Sequence, residues 1–267
     1  MAFPPQRIVC LTEETVETLY LIGEQSRIVG VSGYAVRPPQ VRREKPRVSA
    51  FISADVPKIL ALEPDLVLTF SDLQADIVAD LVRAGVAVHA FNHRTIVGIL
   101  DMIRTLSALV AAPGAGERLA TQLSERLEIC RAKGGERPKK PRVYFEEWDE
   151  PMISAIGWVS ELIGIAGGRD VFADLATRKS AKDRIVTADA VIAASPDIII
   201  GSWCGKKFRA DKLAARPGFA DIPAVRHGQL FEIKSPLILQ PGPAALTDGL
   251  DAIMRIIDDW AGQATRP

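Results

Sequence analysis

The fold is decided by two stretches of similar sequence, KILALEPDLVLTF at residues 58–70 and AVIAASPDIIIGS at residues 190–202. In each stretch, a short helical pattern ends at a Pro-Asp pair and is followed by an apolar run. Such a run is typical of a strand that is buried in a parallel sheet. Because the stretches lie about half a chain length apart, they predict two lobes of the same construction.

Outward from these stretches, short strand patterns alternate with helical patterns along the chain. This alternation predicts an α/β fold in which each lobe is a mostly parallel sheet flanked by helices. The predicted strands are residues 8–11, 28–31, 66–70, 86–91, 143–146, 198–201 and 230–233. The predicted helices are residues 13–22, 56–61, 72–83, 158–165, 188–194, 212–215 and 247–260.

Residues 96–133 separate the two lobes in sequence and carry apolar side chains at helical spacing. They predict one long backbone helix that is broken or bent at Pro113-Gly114, since proline removes a helical hydrogen bond. The segment GGERPKKPR at residues 134–142 follows as a linker. We therefore predict an N-terminal α/β lobe at residues 1–95, a connecting helix and linker at 96–140, and a C-terminal α/β lobe at 141–267.

The charge balance argues against a nucleic-acid partner. The 267 residues include 33 Lys and Arg against 33 Asp and Glu, so the formal net charge is zero. A protein that neutralises a run of phosphates carries a basic excess. The expected partner is therefore a small molecule, and we expect a monomer.

The N-terminus and the cysteines favour a reducing compartment. Residues 1–11 lack the basic region and the long apolar run of a signal peptide. The three cysteines are scattered, which is typical of free thiols. As it stands, the sequence predicts a cytoplasmic protein; a periplasmic protein is the alternative if a signal was removed.

Eight residues are candidates for ligand contact. Aromatic side chains give a flat ligand a large contact area, and most of the chosen ones follow predicted strands. A histidine and a cysteine are also candidates, because each could ligate the metal of a ligand. The candidates are Tyr34, Phe51, Phe70, His93, Trp148, Trp158, Trp203 and Cys204. The open alternatives are aromatics that cover the core edge, a solvated loop histidine and a cysteine that only packs.

Charged clusters flank these candidates. Lys206 and Lys207 follow Cys204, and a basic run spans residues 37–47. These cations could receive carboxylate or phosphate groups, or they could simply form a solvated surface. The acids of EEWDEP at residues 146–151 could bind a cation, but we expect them to face the basic loops across a cleft. No resident metal site is expected.

Enzyme signatures are missing from the sequence. It contains no GxSxG, HExxH, GxGxxG or phosphate-binding GKS/GKT motif. We therefore predict a binding protein and not an enzyme. The alternative is a cytosolic enzyme or chaperone that acts on its ligand through Cys204.

Five segments, in order, resemble the helical-backbone substrate-binding proteins of ABC importers for vitamin B12, ferric siderophores and haem. They are RIVCLTEETVETLYLIG at residues 7–23, RIVGVSGY at 27–34, ALEPDLVL at 61–68, ELIGIAGGRDVF at 161–172 and SPDIIIGS at 195–202. The resemblance covers nearly the whole chain. It implies two lobes that hold a ligand in the cleft between them without changing it chemically.

The resemblance also implies a ligand class and a partner. The ligand is a large flat molecule that binds without a covalent bond; cobalamin or another corrinoid is favoured, and a ferric siderophore or haem, received for an ABC importer, is the alternative. The partner is an ABC permease, onto which members of the family dock through one surface glutamate of each lobe. Glu17 matches the first glutamate. Gly164 replaces the second, and Glu161 lies one helical turn earlier and could stand in for it.

Overall fold

The computed structural model describes residues 3–263 and divides them into two compact units. Unit 1 comprises the described residues through His93, with Val97–Ser124 and Pro241–Pro243. Unit 2 comprises Arg94–Ile96, Glu125–Gln240 and the described residues from Ala244 onward. Residues 96–140 are thus divided between the units, and the domain limits at 95 and 140 stay predictions.

Unit 1 is built on a five-stranded parallel sheet. Its strands are β1 (Ile8–Cys10), β2 (Ile28–Ser32), β3 (Arg47–Ser49), β4 (Leu66–Phe70) and β5 (Val88–Phe91). Their order is β3-β2-β1-β4-β5, so β1 lies at the centre. The sequence predicted four of these strands; β3 was missed because it has only three residues, of which two are polar.

Unit 2 contains a second sheet that is mostly parallel. Its strands are β6 (Arg142–Asp149), β7 (Met152–Ser154), β8 (Arg169–Asp170), β9 (Ile198–Gly201) and β10 (Leu230–Glu232). Their order is β10-β9-β6-β7, with β8 paired to the start of β6 and β7 antiparallel to its end. The short β7 and β8 were not predicted.

The helices flank the sheets and cover their apolar faces. Their bounds are Glu13–Leu21, Val41–Glu44, Val56–Leu60, Ala75–Arg83, Ile96–Leu109, Pro113–Gly135, Gly157–Ile165, Ala173–Ala176, Ala188–Ala194, Ala210–Ala214, Pro223–Arg226, Ser235–Ile238 and Leu250–Gln263. Short 3-10 turns lie at Gln25–Arg27, Asp72–Gln74, Ala181–Arg184 and Phe219–Asp221, and a π-helical turn at Ala245–Gly249 precedes the last helix. The two-lobe α/β fold predicted from the sequence is confirmed.

The long backbone helix is interrupted, but not at the predicted residues. Ile96–Leu109 and Pro113–Gly135 are separate helices, and Ala111 between them has a φ of 58°. Pro113 begins the second helix, where its missing N–H costs no helical hydrogen bond and its fixed φ suits the first turn. The predicted break is therefore present, but it lies at residues 110–112, directly before Pro113, and the proline starts the second helix.

Each unit buries its own apolar cluster. In unit 1, side chains of β1 and β4 such as Val9 and Val67 pack with Ile59 and Leu81 of the helices. In unit 2, Ile199 of β9 packs with aromatic side chains that include Phe219. Within the described part of the chain, no helix is both long and apolar enough to cross a bilayer.

Candidate functional site

The carboxyl edge of unit 1, where the loops after β1 to β5 begin, is the first candidate surface. The five strands are parallel, so their carboxyl ends lie along one edge, and ligands of open parallel sheets bind outside that edge. Three apolar side chains in these loops are exposed: Tyr34 by 45%, Ile52 by 71% and Leu73 by 60%. The sequence singled out only Tyr34 of the three.

A buried glutamine fixes three of these loops to one another. The Gln74 side-chain amide donates to the carbonyl oxygens of Leu11, at 3.3 Å, and Phe51, at 2.8 Å. Its carbonyl oxygen accepts the backbone N–H of Phe70 at 3.1 Å. Gln74 thus holds the loops after β1, β3 and β4 in register, although nothing in the sequence distinguished it from a surface glutamine.

Two other candidates of unit 1 are less accessible than predicted. Phe70 is the last residue of β4, and its ring is buried against the edge of the His93 ring, with 5.3 Å between ring centroids. The Nε2 atom of His93 lies 2.8 Å from the carbonyl oxygen of Pro241, so this nitrogen is already engaged. A metal-ligand role for His93 would need its other ring nitrogen and stays a prediction. Phe51, in the loop after β3, is half-buried.

Two buried glutamates follow the central strand β1 at the same edge. Burial raises the pKa of Glu13 to about 7 and that of Glu14 to about 8. The Thr12 hydroxyl donates to Glu14 Oε1 at 2.5 Å and partly offsets the effect of burial, while the neighbouring Glu13 adds to it. Gly242 packs on Glu14 so closely that a Cβ at Gly242 would lie 2.5 Å from Glu14 Cβ.

The carboxyl edge of unit 2, formed by the loops after β6, β9 and β10, is the second candidate surface. Trp148 lies near the end of β6 and is half-buried; its indole N–H donates to the carbonyl oxygen of Glu150 at 2.8 Å. The ammonium of Lys206, from the loop after β9, lies 4.0 Å from the centroid of the Trp148 ring. Among the predicted ligand contacts in unit 2, Trp148 therefore places a partly exposed aromatic ring at this edge.

The acids of EEWDEP are neutralised inside unit 2. Glu146 is fully buried and pairs with Arg216, with Oε2 2.5 Å from Nη1. Glu147 pairs with the buried Arg184 at 2.6 Å, and Asp149 pairs with Lys206. The expectation that these acids face basic loops across a cleft is therefore wrong for these three: each has a partner within its own unit.

Two predicted tryptophans belong to the core of unit 2. Trp158 is the second residue of the helix Gly157–Ile165, and its indole N–H donates to the carbonyl oxygen of Ile238 at 2.8 Å. Trp203 follows β9 as predicted, but its ring is buried in the apolar cluster and its N–H donates to Glu146 Oε1 at 2.9 Å. Both residues are over 95% buried, and ligand contact by Trp158 or Trp203 stays a prediction.

The three cysteines differ in exposure. Cys10, in β1, is buried, and desolvation raises its thiol pKa to about 12. Cys130 is also buried, whereas Cys204 is exposed in the loop that carries Lys206 and Lys207. Ligand contact by Cys204 stays a prediction.

The two predicted docking glutamates differ in exposure. Glu17 is 8% exposed, and its carboxylate accepts from Arg37 Nε at 2.9 Å, so the expectation of a surface glutamate is wrong at this position. Glu161 is exposed on the helix Gly157–Ile165, where its carboxylate accepts the backbone N–H of Ile96 at 2.7 Å. Burial of part of its side chain raises its pKa.

Comparison with known proteins identifies the family. The model of the periplasmic binding protein family matches residues 8–237. The chain belongs to this family. The chain is 27% identical over 248 residues to the vitamin B12-binding protein of Vibrio cholerae, and the match covers 91% of the chain and 86% of the relative. The resemblance inferred from the sequence is confirmed.

Solved structures support the same assignment. The periplasmic vitamin B12-binding protein of Vibrio cholerae matches the chain with a TM-score of 0.76 and 25% identity, over 97% of the chain and 99% of that protein. The periplasmic heme-binding protein RhuT of Roseiflexus sp. RS-1 matches with a TM-score of 0.79 and 26% identity, over 94% and 98%.

Proposed function

We propose that this protein is the ligand-binding receptor of an ABC importer and that it binds a corrinoid without a covalent bond and without chemical change. The proposal rests on the match to a vitamin B12-binding protein, which is 27% identical and covers 91% of the chain. Relatives named as periplasmic, and another named as an ABC transporter substrate-binding lipoprotein, favour the periplasmic alternative over the cytoplasmic location predicted from the N-terminus.

The side chains at the two carboxyl edges suit a large, flat ligand. In unit 1, Tyr34, Ile52 and Leu73 offer exposed apolar surface in the loops at the carboxyl edge. In unit 2, Trp148 offers an aromatic ring. Exposed apolar and aromatic groups that lie at the carboxyl ends of parallel strands are typical of ligand-contacting residues. We propose these four as the primary contacts.

The ion pairs of three unit 2 cations favour a corrinoid over a carboxylate-bearing ligand. Lys206 pairs with Asp149, Arg209 with Asp211, and Arg216 with Glu146. These cations of unit 2 already have carboxylate partners, whereas a haem presents carboxylates that need cations of their own. Haem remains the second candidate because of the 26% identity to a heme-binding protein of known structure.

Substitution of the proposed contacts should weaken binding and leave stability nearly unchanged. Trp148→Ala and Tyr34→Ala are each expected to weaken cyanocobalamin binding by about 1–3 kcal/mol, because truncated aromatic anchors lose contact area with the ligand. Calorimetric titration measures the affinity, and thermal melting measures the stability. Ile129→Ala, which truncates an exposed side chain on the helix Pro113–Gly135, is the matched control and should bind like the wild type. Unchanged affinity in both aromatic variants would remove these residues from the site.

We further propose that the receptor docks on a permease through unit 2 with Glu161. Its exposure on a helix supports this role, whereas the burial of Glu17 and its pairing with Arg37 argue against the equivalent role for Glu17. Removal of the Glu161 carboxylate by Glu161→Gln should then reduce uptake of the ligand in cells without changing its affinity for the purified protein. Equal loss of both would instead mean that Glu161 acts through the fold.

A further inference from the structure

The ammonium of Lys206 lies over two indole rings and pairs with a carboxylate at the carboxyl edge of unit 2. Its Nζ lies 4.0 Å from the centroid of the Trp148 ring and 5.5 Å from that of the Trp203 ring. The same ammonium pairs with the carboxylate of Asp149. Ring faces carry negative charge density and attract cations within about 6 Å, and cages of aromatic rings recognise alkylammonium ligands.

We propose that Trp148, Trp203 and Asp149 form a cation cage, that Lys206 fills this cage as an internal ligand, and that an alkylammonium ion takes its place when the Lys206 side chain is absent or withdrawn. The cage is a binding site in its own right and does not depend on the identity of the ligand proposed above. Its occupant is a cation because all three walls favour positive charge.

The two aromatic walls of the cage are held by contacts that do not involve Lys206. The Trp203 ring packs edge-on against Phe208, with 5.0 Å between centroids, and its N–H donates to Glu146. The Trp148 N–H donates to the carbonyl oxygen of Glu150. The cage should therefore keep its shape when the lysine is removed.

Lys206 itself is in a position to leave the cage. Its side chain is 40% exposed, and it belongs to an exposed turn in which Gly205 has a φ of 75°. Because Asp149 neutralises the charge of Lys206, this lysine should bind a carboxylate or phosphate group of a ligand only weakly. A ligand that approaches this face of the Trp148 ring has to displace the lysine ammonium first.

Removal of the internal ligand tests the proposal. Lys206→Ala should bind tetramethylammonium at least about 10-fold more tightly than the wild type at constant ionic strength, as the vacated rings and carboxylate accept an external cation. The readout is the NMR shift of the two indole N–H groups during titration. Lys207→Ala, on the same loop, should behave like the wild type, as should the Lys206→Ala/Trp148→Ala double variant. No gain in affinity for Lys206→Ala would overturn the proposal.

A measurement on the wild type keeps the proposal falsifiable if that variant does not fold. Protons on the Cε of Lys206 should resonate upfield of those of Lys207, because the Trp148 ring current acts on them. This difference should disappear in Trp148→Ala. Equal lysine shifts in the wild type would show that the ammonium does not occupy the cage and would contradict the proposal.

Discussion

Arg216→Ala is expected to lower the free energy of unfolding by about 3–5 kcal/mol, since it leaves a buried carboxylate without its cation. The carboxylate is that of Glu146, which is fully buried and whose oxygens lie 2.5 Å and 3.0 Å from the guanidinium nitrogens of Arg216. Tyr144 and Trp203 would still donate to it, but neither supplies a positive charge. Equilibrium denaturation with urea measures the change.

Arg209→Ala is the matched control for this stability prediction. Arg209 also pairs with an acid, Asp211, but both side chains are at least half exposed. Exposed pairs contribute only about 0–1 kcal/mol, because water solvates and screens both charges. If the two variants lost equal stability, the burial of the Glu146–Arg216 pair would not have the energetic role assigned to it.

Stability is expected to fall as the pH rises from about 4.5 to about 8, and Glu14→Gln should remove most of this dependence. Burial raises the pKa of Glu14 from 4.5 to about 8 in the folded protein. Between these values the folded state holds a proton that the unfolded state has lost, so folding is favoured at low pH. The stabilisation is complete below pH 4.5 and disappears above pH 8, a change of roughly 2–5 kcal/mol.

Unfolding free energies across this pH range test the role of Glu14. Glu14→Gln should be more stable than the wild type at pH 8 and show a flatter profile. A smaller slope should remain from Glu13, whose pKa is raised to about 7. Glu125→Gln, which changes an exposed carboxylate on a helix, should leave the wild-type profile unchanged. Parallel profiles for Glu14→Gln and the wild type would contradict the buried, protonated state.

Much of the fold could be predicted because its strands are strongly patterned. The two apolar runs after Pro-Asp became β4 and β9 with the predicted bounds, since buried parallel strands are apolar on both faces. The short strands β3, β7 and β8 could not be predicted, because two or three residues show no period. The break in the backbone helix was predicted at Pro113-Gly114 and lies at residues 110–112, because a proline that starts a helix and one that bends a helix look alike in sequence.

The site was less predictable than the fold because its chemistry depends on contacts between distant residues. The position of Trp203 after a strand was correct, but only the structure shows that its N–H meets Glu146 in the core. Arg184 and Arg216 look like ordinary surface cations in sequence, yet they neutralise the acids of β6. Ile52 and Leu73 belong to no recognisable sequence motif. Only the structure shows that their side chains are exposed at the carboxyl edge of unit 1.

The absorption spectrum of the protein purified from its native host tests the central claim most directly. Corrinoids and haem are both coloured and have distinct spectra. We expect corrinoid bands that leave the protein on denaturation, because the proposed binding is not covalent, and we expect ligand-free protein to take up added cyanocobalamin in a saturable titration. A haem spectrum, or protein that binds no cobalamin at any concentration tested, would contradict the assignment as a corrinoid receptor.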